Sequence, residues 1–262
     1  MLFESEIHKA GQVAISVRNL NLIYKTTVQK KPTFRQALTR TGRKIRTVNA
    51  LTDLNLEIPY GSVLGVIGAN GAGKSSLMRV VAGIVPPTAG RVEVYGQVST
   101  LLSLGVGFNS RLTGRENVIL GGLAAGLTRT EIEDQFSAIA EFADIGEAID
   151  SPMKTYSAGM YSRLAFAVAV VVEPDVLIVD EALSTGDAKF KKKSLEKIKT
   201  LRGENRAIIL VSHALATIKE ICNDVIWLDK GKIVMRGNPD EVVAAYKESL
   251  QVAKSSSADE DL

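Results

Sequence analysis

Residues 68–75 read GANGAGKS and match the pattern G-x-x-x-x-G-K-[ST] at every fixed position. The apolar run 63–67 leads directly into this stretch, and residues 75–81 continue with a helical pattern. A strand, a glycine-rich loop and a helix in this order are the context that a phosphate-binding loop requires. A chance glycine-rich turn is the alternative, but it does not account for the complete pattern. We therefore predict an α/β protein that binds a nucleoside triphosphate.

The residue types of this loop suit phosphate binding for a physical reason. Small residues let backbone N–H groups converge on phosphate oxygens, and the following helix presents its positive end to them. Lys74 is expected to reach the β- and γ-phosphates, and Ser75 is expected to hold Mg²⁺. The predicted nucleotide-binding residues of the loop are Gly68, Asn70, Gly71, Gly73, Lys74, Ser75 and Ser76.

Composition limits the classes of protein to consider. The chain has 262 residues, 45% of them hydrophobic, which is enough for one large α/β domain. Its single cysteine, Cys222, cannot form an internal disulfide. The longest apolar run, residues 164–172, is far short of the ~20 residues that a membrane-spanning helix needs. No signal-peptide pattern is present, so we expect any membrane role to depend on a partner.

Charge is distributed unevenly along the chain, although the net charge is only +3. Residues 25–47 form a basic insert without acidic residues, whereas residues 251–262 end with several acidic ones. We expect the insert to be a solvated positive surface; the alternative is that it faces anionic lipids of a membrane. The acidic end, 251–262, is predicted to be a disordered tail.

The remaining patterns predict one domain, residues 1–250, with a helical insertion. Residues 14–24 and 48–58 have strand character on either side of the basic insert, and residues 176–180 and 207–212 read as buried strands. Residues 113–165 read instead as a helical subdomain, with Thr128 and Glu131 forming a capping box. We therefore expect a mixed β-sheet core with an inserted helical subdomain.

Two carboxylates follow the predicted strand 176–180. Asp180 ends this strand and Glu181 comes directly after it. One anion suits contact with Mg²⁺ and the other suits orienting water, so Asp180 is the metal candidate and Glu181 the general-base candidate. Taken alone, the Asp-Glu pair is equally consistent with a strand end that is simply exposed to solvent. Together with the phosphate-binding loop it favours a hydrolytic site.

Residues 156–160 read YSAGM, precede a helical run and lie just before the strand with Asp180. This stretch resembles the signature motif of ATP-binding cassette (ABC) proteins, whose commonest form is LSGGQ. The order of motifs is also similar: phosphate loop, helical insertion, signature, Asp-Glu strand, and a histidine after the next strand. His213 fills that last position, although an isolated histidine there would more often be a packed or surface residue.

The resemblance implies a P-loop ABC-type nucleotide-binding domain that uses ATP and Mg²⁺. In this family two subunits face each other head to tail and hold each nucleotide between them. Ser157 and Gly159 would then bind the γ-phosphate held by Lys74 of a second copy, and His213 would contact the γ-phosphate. Tyr24 occupies the place of an adenine-stacking aromatic residue, with a core tyrosine as the alternative.

Further motifs resemble bacterial polysaccharide exporters, the group for O-antigen, capsule, teichoic acid and galactan. They are LGVGF at 104–108, LTGREN at 112–117 and GDAKF at 186–190. By this resemblance, Asp187 in the last motif would belong to the loop that communicates across the dimer. Two departures stand out. The usual glutamine near Leu104 is absent, and the chain ends soon after Tyr246, as in short exporters without a carbohydrate-binding domain.

The resemblance also implies partners and a location. Two copies of this chain would work beneath two copies of a separate transmembrane permease, at the cytoplasmic face of the plasma membrane. The cargo would be a lipid-linked glycan, whose pyrophosphate headgroup the basic insert could steer, and no nucleic acid would be bound. Two alternatives stay open: a transporter of a lipid or small solute, and a soluble ABC ATPase acting on ribosomes or DNA. The second usually has two cassettes or a long coiled coil, and this chain has neither.

Overall fold

The computed structural model describes residues 11–28, 44–101, 108–180 and 187–259. Within these ranges the strands are β1 Val13–Val28, β2 Lys44–Pro59, β3 Val63–Ile67, β4 Ala89–Val94, β5 Val98–Thr100, β6 Val176–Asp180, β7 Ala207–Val211, β8 Asp224–Asp229 and β9 Lys232–Gly237. The α-helices are α1 Lys74–Val81, α2 Gly114–Ala124, α3 Arg129–Ala143, α4 Ala158–Val171, α5 Ala188–Gly203, α6 Leu215–Ile221 and α7 Pro239–Asp259.

The main sheet is mixed and has the strand order β5-β6-β7-β3-β8-β9. All neighbours are parallel except β9, which runs antiparallel to β8 after a turn at Lys230 and Gly231. Every residue of β3 and β7 is buried, as expected for central parallel strands covered on both faces. Alternate residues of β3 enter two different core clusters, Leu64 and Val66 in one, Val63 and Ile67 in the other.

A second, antiparallel sheet covers one face of the main sheet. Its strand order is β2-β1-β4, and its apolar side chains share a core cluster with α1 and the main sheet. Strands β1 and β2 are longer than predicted, because their pairing continues from Lys25–Thr47 to Val28–Lys44. The ends of the basic insert therefore form a hairpin, since backbone pairing satisfies these residues whatever their side-chain charge. The rest of the insert lies outside the described residues.

Helices α2, α3 and α4 form the insertion, together with two 3-10 turns at Gly146–Asp150 and Met153–Thr155. They enclose a third cluster of buried side chains. The predicted capping box at Thr128 is confirmed, because its hydroxyl accepts from the backbone N–H of Glu131 and the Glu131 carboxylate accepts from Thr128. Thr113 and Glu116 form a second capping box at the start of α2.

The C-terminal helix α7 corrects one expectation. It continues to Asp259, over most of the segment 251–262 that the sequence pattern assigns to a disordered tail. Gln251, Ala253 and Lys254 are good helix formers and extend a helix that is already anchored by buried Val242 and Val243. Within the described ranges, no helix is both long and apolar enough to cross a membrane.

Phe166 on α4 joins the insertion to the main sheet. Its side chain is 1% exposed and packs against the rings of Phe142 and Phe190. We expect Phe166→Ala to lower the free energy of unfolding by about 3–5 kcal/mol, because it removes an aromatic side chain and leaves a cavity. Urea denaturation measures this change.

A control for this prediction is Val234→Ala on β9, where the side chain is 52% exposed. Its effect should stay within about 0.5 kcal/mol. An equally small effect of Phe166→Ala would show that the insertion does not depend on this aromatic contact.

Candidate nucleotide-binding site

The parallel strands bring three predicted groups to one edge of the main sheet. Val66 of β3 and Asp180 of β6 both lie in register with Val211 of β7. The carboxyl ends of these strands are therefore level, and the glycine loop, Asp180 and the segment with His213 follow at the same edge. This is the edge at which parallel α/β sheets bind ligands.

Three glycines of the loop, Gly68, Gly71 and Gly73, have a positive φ, and at the first and last of them an added side chain would also collide with neighbouring backbone. Gly68 has φ +148°, and a Cβ atom there would collide with the backbone oxygen of Leu228. Gly73, the residue before α1, has φ +109°, and its Cβ atom would lie 2.7 Å from the backbone oxygen of Ala50. The loop is thus held tightly against β2 and β8, while Asn70 and Gly71 at its tip are exposed.

Lys74 points back over the loop and is only 7% exposed. Its ammonium group donates to the backbone oxygens of Gly68 at 2.8 Å and Ala69 at 3.0 Å. Phosphate oxygens are stronger partners for an ammonium than carbonyl oxygens, so the geometry allows an exchange of partners. The first turn of α1 contains no acidic residue, and Ser75 within it is exposed, with Ser76 half-buried.

The other two groups at this edge lie at strand ends. Asp180 is half-buried as the last residue of β6, and Glu181, the general-base candidate, lies outside the described residues. His213 is exposed and comes two residues after the end of β7. In the turn between β7 and α6, the hydroxyl of Ser212 accepts a hydrogen bond from the backbone N–H of Ala214 at 3.1 Å.

Tyr24 lies near the described end of the first strand hairpin, opposite Val48. Its ring is half-buried and packs against the core cluster shared by the two sheets. Its hydroxyl is buried and has no hydrogen-bond partner among the described residues. The packing is compatible with both earlier interpretations, and stacking on adenine stays a prediction.

The signature residues lie on the helical subdomain and not at the edge of the sheet. Ser157 caps the N-terminus of α4, where its side chain accepts from the backbone N–H of Met160 at 3.2 Å. Ser157 is exposed, and a Cβ atom on Gly159 would be 3.8 Å from its hydroxyl, so this helix end is uncrowded. The first turn has no acidic residue, which leaves its positive potential available to an anion.

Asp187 caps the N-terminus of α5 and accepts from the backbone N–H of Phe190 at 2.8 Å. Its carboxylate also contacts the guanidinium of Arg163 on α4. The hydrogen bond from Phe190 and then the charges of Arg163 and Lys189 hold the pKa of the Asp187 carboxyl below its usual range. Sequence analysis missed Arg163; its only signal was a charged residue within the apolar run of α4.

The model of the ABC transporter family matches residues 51–184, slightly more than half of the chain. This chain belongs to the ABC transporter family. The match begins in β2, covers the glycine loop, the signature segment and Asp180, and ends shortly after Glu181.

Relatives with described roles are similar over most of this chain. The O-antigen export system ATP-binding protein RfbB of Myxococcus xanthus is 44% identical over 219 residues, which is 84% of this chain and 50% of that protein. A teichoic acids export ATP-binding protein, TagH of Levilactobacillus brevis, is 40% identical over 91% of this chain and 65% of its own. The chain thus spans about half to two thirds of the length of these relatives.

Solved structures confirm the predicted fold class. The ATP-binding subunit of an ABC transporter superimposes with a TM-score of 0.73 at 22% identity, covering 89% of this chain and 93% of that one. The dimeric ATP-binding cassette MJ0796, bound to ADP and Pi, gives a TM-score of 0.71 at 19% identity, covering 86% and 98%. At these identities the likeness establishes the fold.

The residues present also fit a magnesium ion of the kind that accompanies a nucleotide. Mg²⁺ takes few protein ligands when phosphates supply the others. Ser75 offers an exposed hydroxyl on the first turn of α1, and Asp180 offers a carboxylate at the same sheet edge. No cluster of three or more histidine, cysteine or acidic side chains that could hold a metal alone occurs in the described part of the chain.

Substitution of Gly68 tests the geometry of the loop. We expect Gly68→Ala to abolish binding of an ATP analogue and to lower the free energy of unfolding by about 3 kcal/mol. The cause is the collision with Leu228 in addition to backbone strain. Fluorescence titration with a labelled nucleotide and chemical denaturation measure the two effects.

Gly83→Ala is the matched control, because Gly83 also has a positive φ (+71°) but nothing within 4 Å of an added Cβ atom. It should cost only about 1 kcal/mol and leave nucleotide binding intact. Normal binding by Gly68→Ala would contradict the assignment of this loop.

Proposed function

We propose that this chain is the ATP-hydrolysing subunit of an ABC exporter that moves a lipid-linked polysaccharide across the cytoplasmic membrane. The main supporting observation is the common edge at which the glycine loop, Asp180 and the His213 segment follow β3, β6 and β7. Membership of the ABC transporter family and the similarity to O-antigen and teichoic acid export proteins support the kind of transport.

ATP binding follows from the loop and the lysine. The loop N–H groups and the N-terminus of α1 face the phosphates, while the ammonium of Lys74 exchanges the carbonyls of Gly68 and Ala69 for the β- and γ-phosphate oxygens. Tyr24 stacks on the adenine ring with the part of its side chain that is not buried.

Hydrolysis requires a water molecule held in line with the γ-phosphate. Glu181 follows Asp180 directly in the sequence, and we assign it the role of general base. His213 contacts the γ-phosphate from the end of β7. Ser75 and Asp180 hold Mg²⁺, which offsets the negative charge of the phosphates. The residues contribute mostly by positioning and electrostatic stabilisation.

A second copy of the chain completes each site. Ser157 and Gly159 form an exposed helix N-terminus on the helical subdomain, which fits a phosphate but belongs to a different part of the molecule from Lys74. In a head-to-tail dimer this helix end faces the nucleotide bound by the partner. The solved cassette MJ0796 is a dimer, which supports the same arrangement here.

The membrane is reached through other subunits. Two ATP-binding copies work beneath two copies of a transmembrane permease, at the cytoplasmic face of the membrane, and no nucleic acid takes part. The names of the export systems among the relatives support this assembly. The segment where the family glutamine is missing, around Leu104, lies outside the described residues, so its part in coupling to the permease rests on sequence alone.

The two alternatives differ in support. A lipid or small-solute cargo would use the same ATP site, and only the similarity to polysaccharide exporters opposes it. A soluble ABC ATPase acting on ribosomes or DNA has no specific observation in its favour.

Substitution of Glu181 tests the proposed function at two levels. Purified Glu181→Gln should bind ATP like the wild type but hydrolyse it at least about 100-fold more slowly, because the base is lost while the phosphate contacts remain. In cells that depend on this gene, the same variant should stop the appearance of the glycan at the surface and cause its lipid-linked precursor to accumulate.

Glu204→Gln is a matched control, since Glu204 is an exposed residue at the end of α5, away from the strand edge. Near-normal turnover by Glu181→Gln would reject Glu181 as the base. If Glu181→Gln hydrolyses ATP slowly but the surface glycan is unchanged, the ATPase activity is supported and the polysaccharide cargo is rejected.

A further inference from the structure

Arg163 on α4 connects three elements that are distant in sequence. Its guanidinium contacts the carboxylate of Asp187 at the start of α5, and it donates to the backbone oxygen of Asp144 at 3.1 Å. Asp144 is the residue that ends α3, with a left-handed backbone at φ +51°. The Arg163 side chain is only 19% exposed, whereas the side chains of Asp144 and Asp187 are 57% and 54% exposed.

Further contacts strengthen this junction, which we define as Asp144, Arg163, Asp187 and Lys189. The ammonium of Lys189 lies 3.3 Å from the carboxylate of Asp144, which closes a chain of alternating charges between α3 and α5. The guanidinium of Arg163 also lies 5.4 Å from the ring centre of Phe190, within the range of a cation–π contact. The junction therefore combines polar contacts with an aromatic contact.

The junction lies at one end of the segment that contains the predicted general base. Residues 181–186 connect Asp180 to Asp187. At the first end, Asp180 is paired with β7 through the strand ladder. At the second end, Asp187 is held by the backbone N–H of Phe190 and by Arg163. Within the described ranges, the contact that links Asp187 to the helical subdomain comes from Arg163.

We propose that Arg163 is a positioning residue for ATP hydrolysis, which acts by fixing Asp187 and with it the end of the segment that contains Glu181. Arg163 is six residues after Ser157 on the same helix, so it also ties that segment to the helix end that faces the partner's nucleotide. This inference rests on the proposed function. In this proposal the junction keeps Glu181 at a fixed position relative to α4, the helix that Ser157 caps.

A purely structural role would give a different result. The Asp187 side chain is about half exposed, and ion pairs with exposed partners contribute little to folding stability. Reaction rates respond far more sharply, because a displacement of about 1 Å can reduce catalysis about 100-fold. Loss of the junction should therefore lower kcat while leaving nucleotide affinity and the unfolding midpoint nearly unchanged.

The test uses Arg163→Ala, Asp187→Asn and the double variant. Asparagine keeps the helix cap of α5 but removes the charge, which isolates the contact with Arg163. Each single variant should lower kcat about tenfold with KM for ATP within about twofold of wild type. The double variant should be no slower than either single one, because both remove the same interaction. Arg163→Lys should recover part of the rate.

Arg115→Ala is the matched control. Arg115 also pairs with an aspartate, Asp150 at 2.7 Å, and its guanidinium lies 4.3 Å from the ring centre of Phe136. These contacts stay within the helical subdomain, so its kcat should match that of the wild type. Any one of three results would overturn the proposal. The first is an unchanged kcat in Arg163→Ala, and the second is a kcat loss in the double variant equal to the product of the two single losses. The third is a rise in KM for ATP as large as the fall in kcat.

A second measurement separates this proposal from the proposed function. Amide hydrogen exchange, followed by mass spectrometry on the peptide that covers residues 181–190, should be faster in Arg163→Ala than in Arg115→Ala or the wild type. If the wild-type protein has no ATPase activity, the proposed function is rejected. The exchange result still shows whether Arg163 holds the peptide 181–190 in place. Identical exchange in all three proteins would overturn it.

Discussion

The parallel pairing of β3 with β7, and of β7 with β6, is the constraint on which the site depends. These strands are buried on both faces, so their register is fixed by the cores on either side. The level ends of the strands place the glycine loop, Asp180 and the His213 segment together. The loop itself can start at Gly68 only because no side chain stands between β3 and the Leu228 carbonyl.

Much of this arrangement could be predicted from the sequence. Short apolar runs followed by glycine or by carboxylates predict β3 and β6, since bounded runs of five apolar residues are typical of buried strands. The extension of the β1–β2 hairpin was not predicted, because charged and polar residues at an antiparallel edge leave no apolar alternation to recognise. The junction at Arg163 was missed for another reason. Its partners, Asp144 and Asp187, are brought together only by helix packing around Phe166 and Phe190.

The molecule divides the chemistry between two regions. The sheet edge has the groups that we propose bind the phosphates of ATP, whereas the helical subdomain has an uncrowded helix end at Ser157 that suits an anion. Arg163 belongs to the helix that Ser157 caps, and it contacts Asp187, the residue that follows residues 181–186. In this account, the helical subdomain serves catalysis in two ways: it completes the partner's site and it positions the base of its own.

We propose that each site combines Lys74 of one copy with Ser157 of another. Mixing two inactive variants, Lys74→Ala and Ser157→Glu, and measuring ATP hydrolysis tests it most directly. Mixed dimers contain one site with both native residues, so the mixture should regain activity that neither variant has alone. The double variant, mixed with either single one, should stay inactive. Absence of recovery in mixtures with demonstrated mixed dimers would contradict the composite site.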